Sequence, residues 1–527
     1  MVDISTTSTG SAGIAGSATA QAGPAAVPDE AARGSRIGSA ALRGLLAVAR
    51  CPAVWLCLVA AFFYSALAVD RIDQHLAGSY DFGVIFQVIH GWAFHFYPSE
   101  PLQGAGQSEW GDHFSPMLIL LAPLLWLHDA PSSLAVAQAF VICAAGLPVY
   151  FAVRRLHGTT AATLACVFFL TCMEVQTAIG FDIHENMFEP LLIGWAIERA
   201  LAGRWTAASI LMGLNVLCYE DMGVMVFLFG LWAAWHRRWR HAAVLMVLGP
   251  VMVLLFTQVI LPDWGRDVAN WQLRHFDYGP TLHASSTFQA FLHALEHPHH
   301  LFRLMISNRV KRGTWLFLLL PVFFVCLASP ITYLGSTTVV LLMASDNVTH
   351  WAWNYHFYLQ VAPIIVIGAF DGARRIGLLG RLLWRRTGRP LPAGLSRLRS
   401  PRVHRGVVVA FALAALGTSA AMQLQPQNRA RLAAWEYLDG KLVRPAALVR
   451  DIDAVAAHVP SGQNVYVSND LGTVLVARDT DWISPGEATY VFFDTATGWT
   501  PPGYEQRLQG LGFHLVYRQG QVYLMER

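Results

Sequence analysis

The feature that most constrains this chain is a series of apolar runs near or above the roughly 20 residues needed to cross bilayer hydrocarbon. Examples are Cys51 to Val69, Ala130 to Val153 and Ala242 to Leu261. Hydrocarbon offers no partner to a backbone polar group, so such runs fold as helices that satisfy their own N–H and C=O groups. Composition points the same way. Of 527 residues, 54% are hydrophobic and 13% charged, against about 25% charged in an average soluble domain. The net charge of +3 gives no reason to expect a nucleic-acid partner. Seven cysteines, Cys51, Cys57, Cys143, Cys166, Cys172, Cys218 and Cys326, sit in or beside apolar runs with no CxxC pair. Neither a disulfide framework nor a zinc site is expected.

Residues 1–45 are predicted to be a disordered cytoplasmic tail. The stretch "MVDISTTSTGSAGIAGSATAQAGPAAVPDEAARGS" holds few large apolar side chains. It lacks the basic and apolar segments of a signal peptide, so Cys51 to Val69 reads as an uncleaved first span. A transmembrane domain then covers residues 46–422, and a small extracytoplasmic α/β domain residues 423–527.

Loops rich in arginine stay in the cytoplasm, which lets each loop be assigned a side. Arg33, Arg36, Arg43 and Arg50 place the amino terminus inside. Arg154 with Arg155, Arg199 with Arg204, "HRRWRH" from His236, and the ten arginines from Arg374 to Arg405 mark further inside segments. Spans threaded between them are Cys51–Val69, Ala130–Val153, Thr159–Ile179, Pro190–Leu201, Thr206–Tyr219, Met222–Trp235, Ala242–Leu261, Thr314–Ala328, Ile331–Ala344, Phe357–Phe370 and Val407–Met422. That makes eleven, with the carboxyl terminus outside. "SPMLILLAPLLWL" from Ser115 is too short for a crossing and reads as re-entrant or interfacial.

With this topology, ionisable residues collect on the outer side at the ends of spans. They include Asp81, Asp112, His113, Asp182, His184, Glu185, Glu220, Asp221, Asp346 and His356. One polar residue in an outer loop needs no special explanation, but recurrence in loop after loop points to a site, because ionisable groups at membrane depth are costly. On a helical wheel Phe82, Ile85, Phe86, Ile89, Trp92, Ala93 and Phe96 share one face, with Gln87, His90 and His95 opposite and Asp81 at the edge. This predicts a helix lying flat on the membrane, with Asp81 in its first turn as functional acid or as N-cap. Beyond Gln423 the pattern changes: Ala446 to Val459 and Tyr504 to Leu511 read as helices, "NVYVSND" and "ATYVFFDT" as strands, and "FHLVYRQGQVYLMER" as a hairpin.

The stretches "YDFGVIFQVIH", "GDHFSPMLILLAPLLWL", "GFDIHENMFEPLL", "CYEDMG", "LLPVFFVCLASPITYLG" and "NYHFYLQVAPIIV", in that order, resemble a bacterial membrane-protein family known as domain of unknown function 2079. The likeness runs from about Ala66 to Arg527. More distantly, the layout is similar to the C superfamily of polytopic glycosyltransferases, which use polyprenyl-phosphate sugars. That resemblance implies an acidic residue in the first outer loop, matched by Asp81, and a second in the next outer loop, matched by Asp182 or Glu185. The Asp-Glu pair that follows the first span in protein mannosyltransferases is absent here.

The implied function is transfer of a sugar from a polyprenyl-phosphate donor to an acceptor at the outer face. Asp81 would be the base and Asp182 and Glu185 the alternatives. His113, His184, Glu220, Asp221 and His356 would contribute to substrate binding. Arg309, Lys311 and Arg312, which sit outside a span against the charge bias, would hold the lipid phosphate, or contact anionic headgroups. Membrane lipids are the other expected partners. A divalent metal ion bridging acids and phosphate fits this chemistry, although the scattered ligands show no defined spacing. Two other readings stay open: a transporter or flippase for a lipid-linked or polar solute, and a non-catalytic membrane scaffold.

Overall fold

Apolar helices make up most of the protein, as the runs predict. The computed structural model describes residues 48–104, 106–265, 282–283, 287–386, 400–440, 443–482 and 484–527. Pro52–Arg527 form one compact unit. The tail expected over residues 1–45, and Arg389, Arg397 and Arg399 of the arginine-rich loop, lie outside the described residues.

Of the eleven expected spans, five are helices long and apolar enough to cross a bilayer: Pro52–Asp73, Pro131–His157, Thr159–Gly180, Trp239–Trp264 and Arg402–Gln423. Trp205–Leu217, Met222–Trp235 and Thr332–Ala344 are shorter apolar helices. Of the other three, Phe357–Phe370 falls mostly in the 26-residue helix Val361–Arg386, and two are short or broken. Pro190–Leu201 falls in a helix of 13 residues, Glu189–Leu201. Thr314–Ala328 is divided between the helix Arg309–Leu319 and the 3-10 turn Val325–Ala328. Between them Phe323 and Phe324 adopt left-handed backbone angles. Ser115–Leu127 is not one continuous helix but a 3-10 segment, Pro116–Leu121, followed by the short helix Ala122–Leu127.

Helix pairs in lipid gain little from the hydrophobic effect and rely on close backbone approach at small residues. The pair Met222–Trp235 and Trp239–Leu255 shows why. A side chain at Gly223 would strike the Gly249 carbonyl, and one at Gly249 would strike the Gly223 carbonyl.

The helix expected to lie flat on the membrane is Val84–His95, and part of its polar side is covered by the rest of the protein. Val84, Ile85, Phe86, Val88, Ile89 and Ala93 are buried, and so is Gln87 on the polar side of the wheel. The Gln87 amide explains the difference, because it has partners on both sides. It donates to Asp481 O at 3.4 Å and accepts from Leu102 N–H at 3.3 Å. Asp81 is neither in the first turn of this helix nor its cap. It belongs to a separate π-helical turn, Ser79–Gly83.

The C-terminal segment forms a five-stranded sheet. Its strands are β1 (Asn464–Val467), β2 (Thr480–Trp482), β3 (Tyr490–Asp494), β4 (His514–Gln519) and β5 (Val522–Glu526), arranged in the order β2-β1-β3-β5-β4. β1 runs parallel to β2 and β3, while β5 is antiparallel to β3 and β4. Alternation sorts the central strand between two cores. Phe492 packs with Ile452 and Val455 of the helix Ala446–Ala456, and Val491 and Phe493 pack with Leu508 of the helix Tyr504–Gly510. The predicted strands and hairpin stand where expected; β2, three residues long, was too short to show a pattern.

In this segment the Asp470 side chain is 7% exposed. Burial, and then the neighbouring Asp494 carboxyl, raises its pKa to about 6, above the value near 4 of an unfolded Asp. A raised pKa means that the folded state holds the proton more tightly, so ionisation costs stability. The cost is absent below about pH 4, grows between about pH 4 and 6, and is constant above; it is on the order of 2 kcal/mol. The thermal midpoint of Asp470→Asn minus that of wild type is expected to rise by a few degrees between pH 4 and pH 7. A difference that stays flat with pH would show that the ionised carboxylate carries no such penalty.

Candidate functional site

Five loop segments meet at one end of the helices. Asp81 comes from the π-helical turn, and Asp182 and His184 follow the helix Met173–Gly180. Glu185 opens the 3-10 turn Glu185–Phe188. His113 follows the 3-10 turn Glu109–Gly111, Glu220 and Asp221 precede the helix Met222–Trp235, and His356 opens the 3-10 turn His356–Tyr358. Short turns of this kind are what the chain uses where a helix must stop before its ionisable residues enter hydrocarbon.

His184 lies between two carboxylates. Its Nε2 is 3.5 Å from Asp81 Oδ1 and its Nδ1 is 3.4 Å from Glu185 Oε2. Phe181 stacks on the His184 ring, and His356 stacks on it at a centroid distance of 3.5 Å. Burial alone would lower the His184 pKa, but Glu185, Asp81 and Asp182 outweigh it, so the imidazole is held above its ordinary value. The same pairing, chiefly with His184, holds Glu185 below the usual carboxylate value despite burial. His356 goes the other way, pushed well down by burial and by the neighbouring His184. Asp81 is raised, because burial and the Asp182 and Glu185 charges exceed the pull of His184 and Arg71. At 34% exposure, its side chain is the most accessible of the Asp81–His184–Glu185 chain.

Asp182 is differently placed. Its Oδ1 is 3.1 Å from an Arg71 nitrogen, and its Oδ2 accepts the Gly78 N–H at 2.7 Å. Arg71 also donates to Phe181 O at 2.9 Å. Asp182 therefore joins the end of the first span, the start of the Asp81 turn and the loop carrying His184. A second pair lies alongside, with His113 Nδ1 3.0 Å from Glu220 Oε1. His113 is raised because Glu220 and Asp112 overcome its burial. Deeper still, Glu189 is 1% exposed with neither carboxylate oxygen hydrogen-bonded, and Asp221 Oδ1 is likewise without a hydrogen-bond partner.

The three basic residues separate. Arg309 and Arg312 are exposed at the start of the helix Arg309–Leu319. Lys311 is 2% exposed, donates to Met343 O at 2.6 Å and sits over the Trp351 ring. Its ammonium is committed to the protein interior. Among the described residues no group of three or more His, Cys, Asp and Glu side chains is arranged to hold a metal ion, so no chemistry is routed through one below.

Sequence reasoning passed over Arg71, Glu109 and Asn469. Arg71 could have been found by the rule that singled out Arg309, since it ends the first span on the side opposite Arg50. Glu109 accepts from Ser115 Oγ and is 2% exposed, a burial no local pattern foretells.

Removing one partner of a buried ion pair leaves the other charge unpaired and costs about 3–5 kcal/mol. Asp182→Ala, which strands Arg71 and the Gly78 N–H, is expected to destabilise the protein by that order in denaturant unfolding. Arg71 is 13% exposed, so the lower end applies. A loss under about 1 kcal/mol would show that water replaces the carboxylate.

The fold has parallels among known proteins. The solved structure of ArnT from Cupriavidus metallidurans bound to undecaprenyl phosphate is similar, with a TM-score of 0.50 and 14% identity over 90% of this chain and 97% of that one. The Archaeoglobus fulgidus oligosaccharyltransferase, in complex with Zn and sulfate, gives a TM-score of 0.38 and 14% identity over 83% of this chain and 67% of that one. No curated protein matches the sequence. The multi-span helical architecture and the match of residues 71–488 show that the chain belongs to the family described as Predicted membrane protein (DUF2079).

Proposed function

We propose that the protein is a membrane glycosyltransferase moving a sugar from a polyprenyl-phosphate donor to an acceptor hydroxyl, with Asp81 as general base. The observation that carries this reading is the Asp81–His184–Glu185 chain, with its acid end open to solvent. It is supported by a fold similar to that of ArnT, whose structure holds undecaprenyl phosphate. The acceptor oxygen attacks the anomeric carbon and the bond from that carbon to the phosphate oxygen breaks. The hydroxyl proton passes to Asp81, and the lipid phosphate leaves with the bonding electrons. A raised carboxyl pKa suits the step, because a base works best with its pKa near the working pH. His184, whose imidazole its two carboxylates hold above its ordinary pKa, lies against the Asp81 carboxylate and, when protonated, offers positive charge beside the reacting centre. Arg309 and Arg312 are the exposed cations available to the departing phosphate. Lys311 is left out because its ammonium faces Met343 O.

Asp81→Asn keeps the side chain's shape but cannot take a proton. It is expected to lose about 10²–10⁴-fold in transfer rate while melting within a few degrees of wild type, since Asp81 caps no helix. The assay is transfer from a panel of polyprenyl-phosphate sugars by the full chain in lipid. An equally fast variant would move the base to Glu185, and a wild type inert toward every donor would favour a transporter.

The site is proposed to face outward, with the amino terminus cytoplasmic and the C-terminal sheet outside. Cysteines introduced at Phe96, which is exposed, and near Arg527 are then expected to react with an impermeant reagent on intact cells, and cysteines at His236 and Arg402 are not. Labelling at Arg402 would reverse the assignment.

A further inference from the structure

The loop from Ser468 to Gly472, between β1 and the rest of the sheet, lies directly against the turn that carries Asp81. Asn469 Oδ1 accepts the Tyr80 N–H at 3.0 Å, and Ser79 Oγ donates to Ser468 O at 3.5 Å. Gly472 approaches so closely that any side chain there would overlap the backbone of Gly78 and Ser79. These partners are 389 residues apart in sequence.

The contact has a physical purpose. The turn closes with Gly83 N–H donating to Gly78 O at 3.0 Å, a π-type bond spanning five residues. Such turns are rare and are found frequently at functional sites. The leading N–H groups of any helical turn lack internal partners. Here two remote side chains supply them, since Gly78 N–H donates to Asp182 and Tyr80 N–H to Asn469. The loop is braced from behind as well. Asp470 accepts from Thr497 Oγ1 at 2.5 Å and from Ser468 Oγ at 3.0 Å. Arg444 donates to Asp470 O at 3.1 Å, and its own N–H donates to Gln74 Oε1 at 2.8 Å, just before the turn.

We infer that Asn469 and Gly472 are positioning residues for Asp81, so that the C-terminal segment completes the site by holding the Asp81 turn in its π-helical form. The inference rests on Asp81 being the reacting acid, yet it can be tested without any transfer assay. A water-insoluble carbodiimide modifies protonated carboxyl groups in lipid-embedded protein. Mass spectrometry of the full chain in lipid then gives the pH at which Asp81 labelling is half-maximal, with Asp81→Asn as the blank. His184, Asp182, Glu185 and Arg71 face Asp81 and are unchanged in every variant.

Asn469→Ala frees the turn, further exposes the half-buried carboxyl and is expected to lower that midpoint by about one pH unit, the direction expected when a partly desolvated acid regains water. Gly472→Ala, which meets backbone, is expected to lower it further; if that variant fails to fold, Asn469→Ala decides alone. Asp453→Asn alters the contact between this segment and His75 without touching the turn, and is expected to leave the midpoint unchanged. Once a donor is known, Asn469→Ala should lower kcat at least about tenfold with KM for the donor within about twofold, because misplacing a reacting group slows the chemical step. A folded Asn469→Ala with the wild-type midpoint would overturn the inference. Absence of transfer by wild type would overturn the glycosyltransferase reading and leave this one standing on the labelling.

Discussion

The double engagement of Asp182 is the interaction on which the site depends. One carboxylate takes the Arg71 guanidinium on one oxygen and the Gly78 N–H on the other. It thereby ties the end of the first span to the turn before Asp81 and to the loop before His184. A charge this close to hydrocarbon is tolerable only when paired and hydrogen-bonded, and here the pairing also fixes geometry. The neighbouring His113–Glu220 pair follows the same rule.

The acids of the site divide by environment. Asp182 and Glu220 face a cation or imidazole within 3.1 Å, which suits them to hold loops together. Asp81 is less tightly engaged, partly exposed and raised in pKa, which suits it to exchange a proton. Two carboxylates of the same chemical type are set apart by burial and partner alone. The fold, similar to that of ArnT, fixes only the frame; any roles come from the side chains.

The C-terminal sheet is more than an appendage to the helices. Its loop at Asn469 reaches the Asp81 turn, Asp481 O meets Gln87, and Arg444 meets Gln74. These contacts also explain why Gln87, on the polar side of the Val84–His95 helix, is buried: it is covered by a residue nearly 400 positions away.

The sequence by itself determined the membrane-spanning class, the five long helices within a residue or a few of their ends, the C-terminal helices and most strands, and the candidate acids and histidines at the span ends. All of these follow from local patterns: apolar length, strand alternation and the cost of charge at membrane depth. Tertiary structure alone decided which of those residues meet. It put His184 between Asp81 and Glu185, assigned Asp182 to Arg71, turned Lys311 inward to Met343 O, and brought Asn469 to Tyr80. Each is a contact between distant segments, fixed by which backbone and side-chain groups could find partners once water was excluded, and periodicity along one segment carries no record of a partner on another.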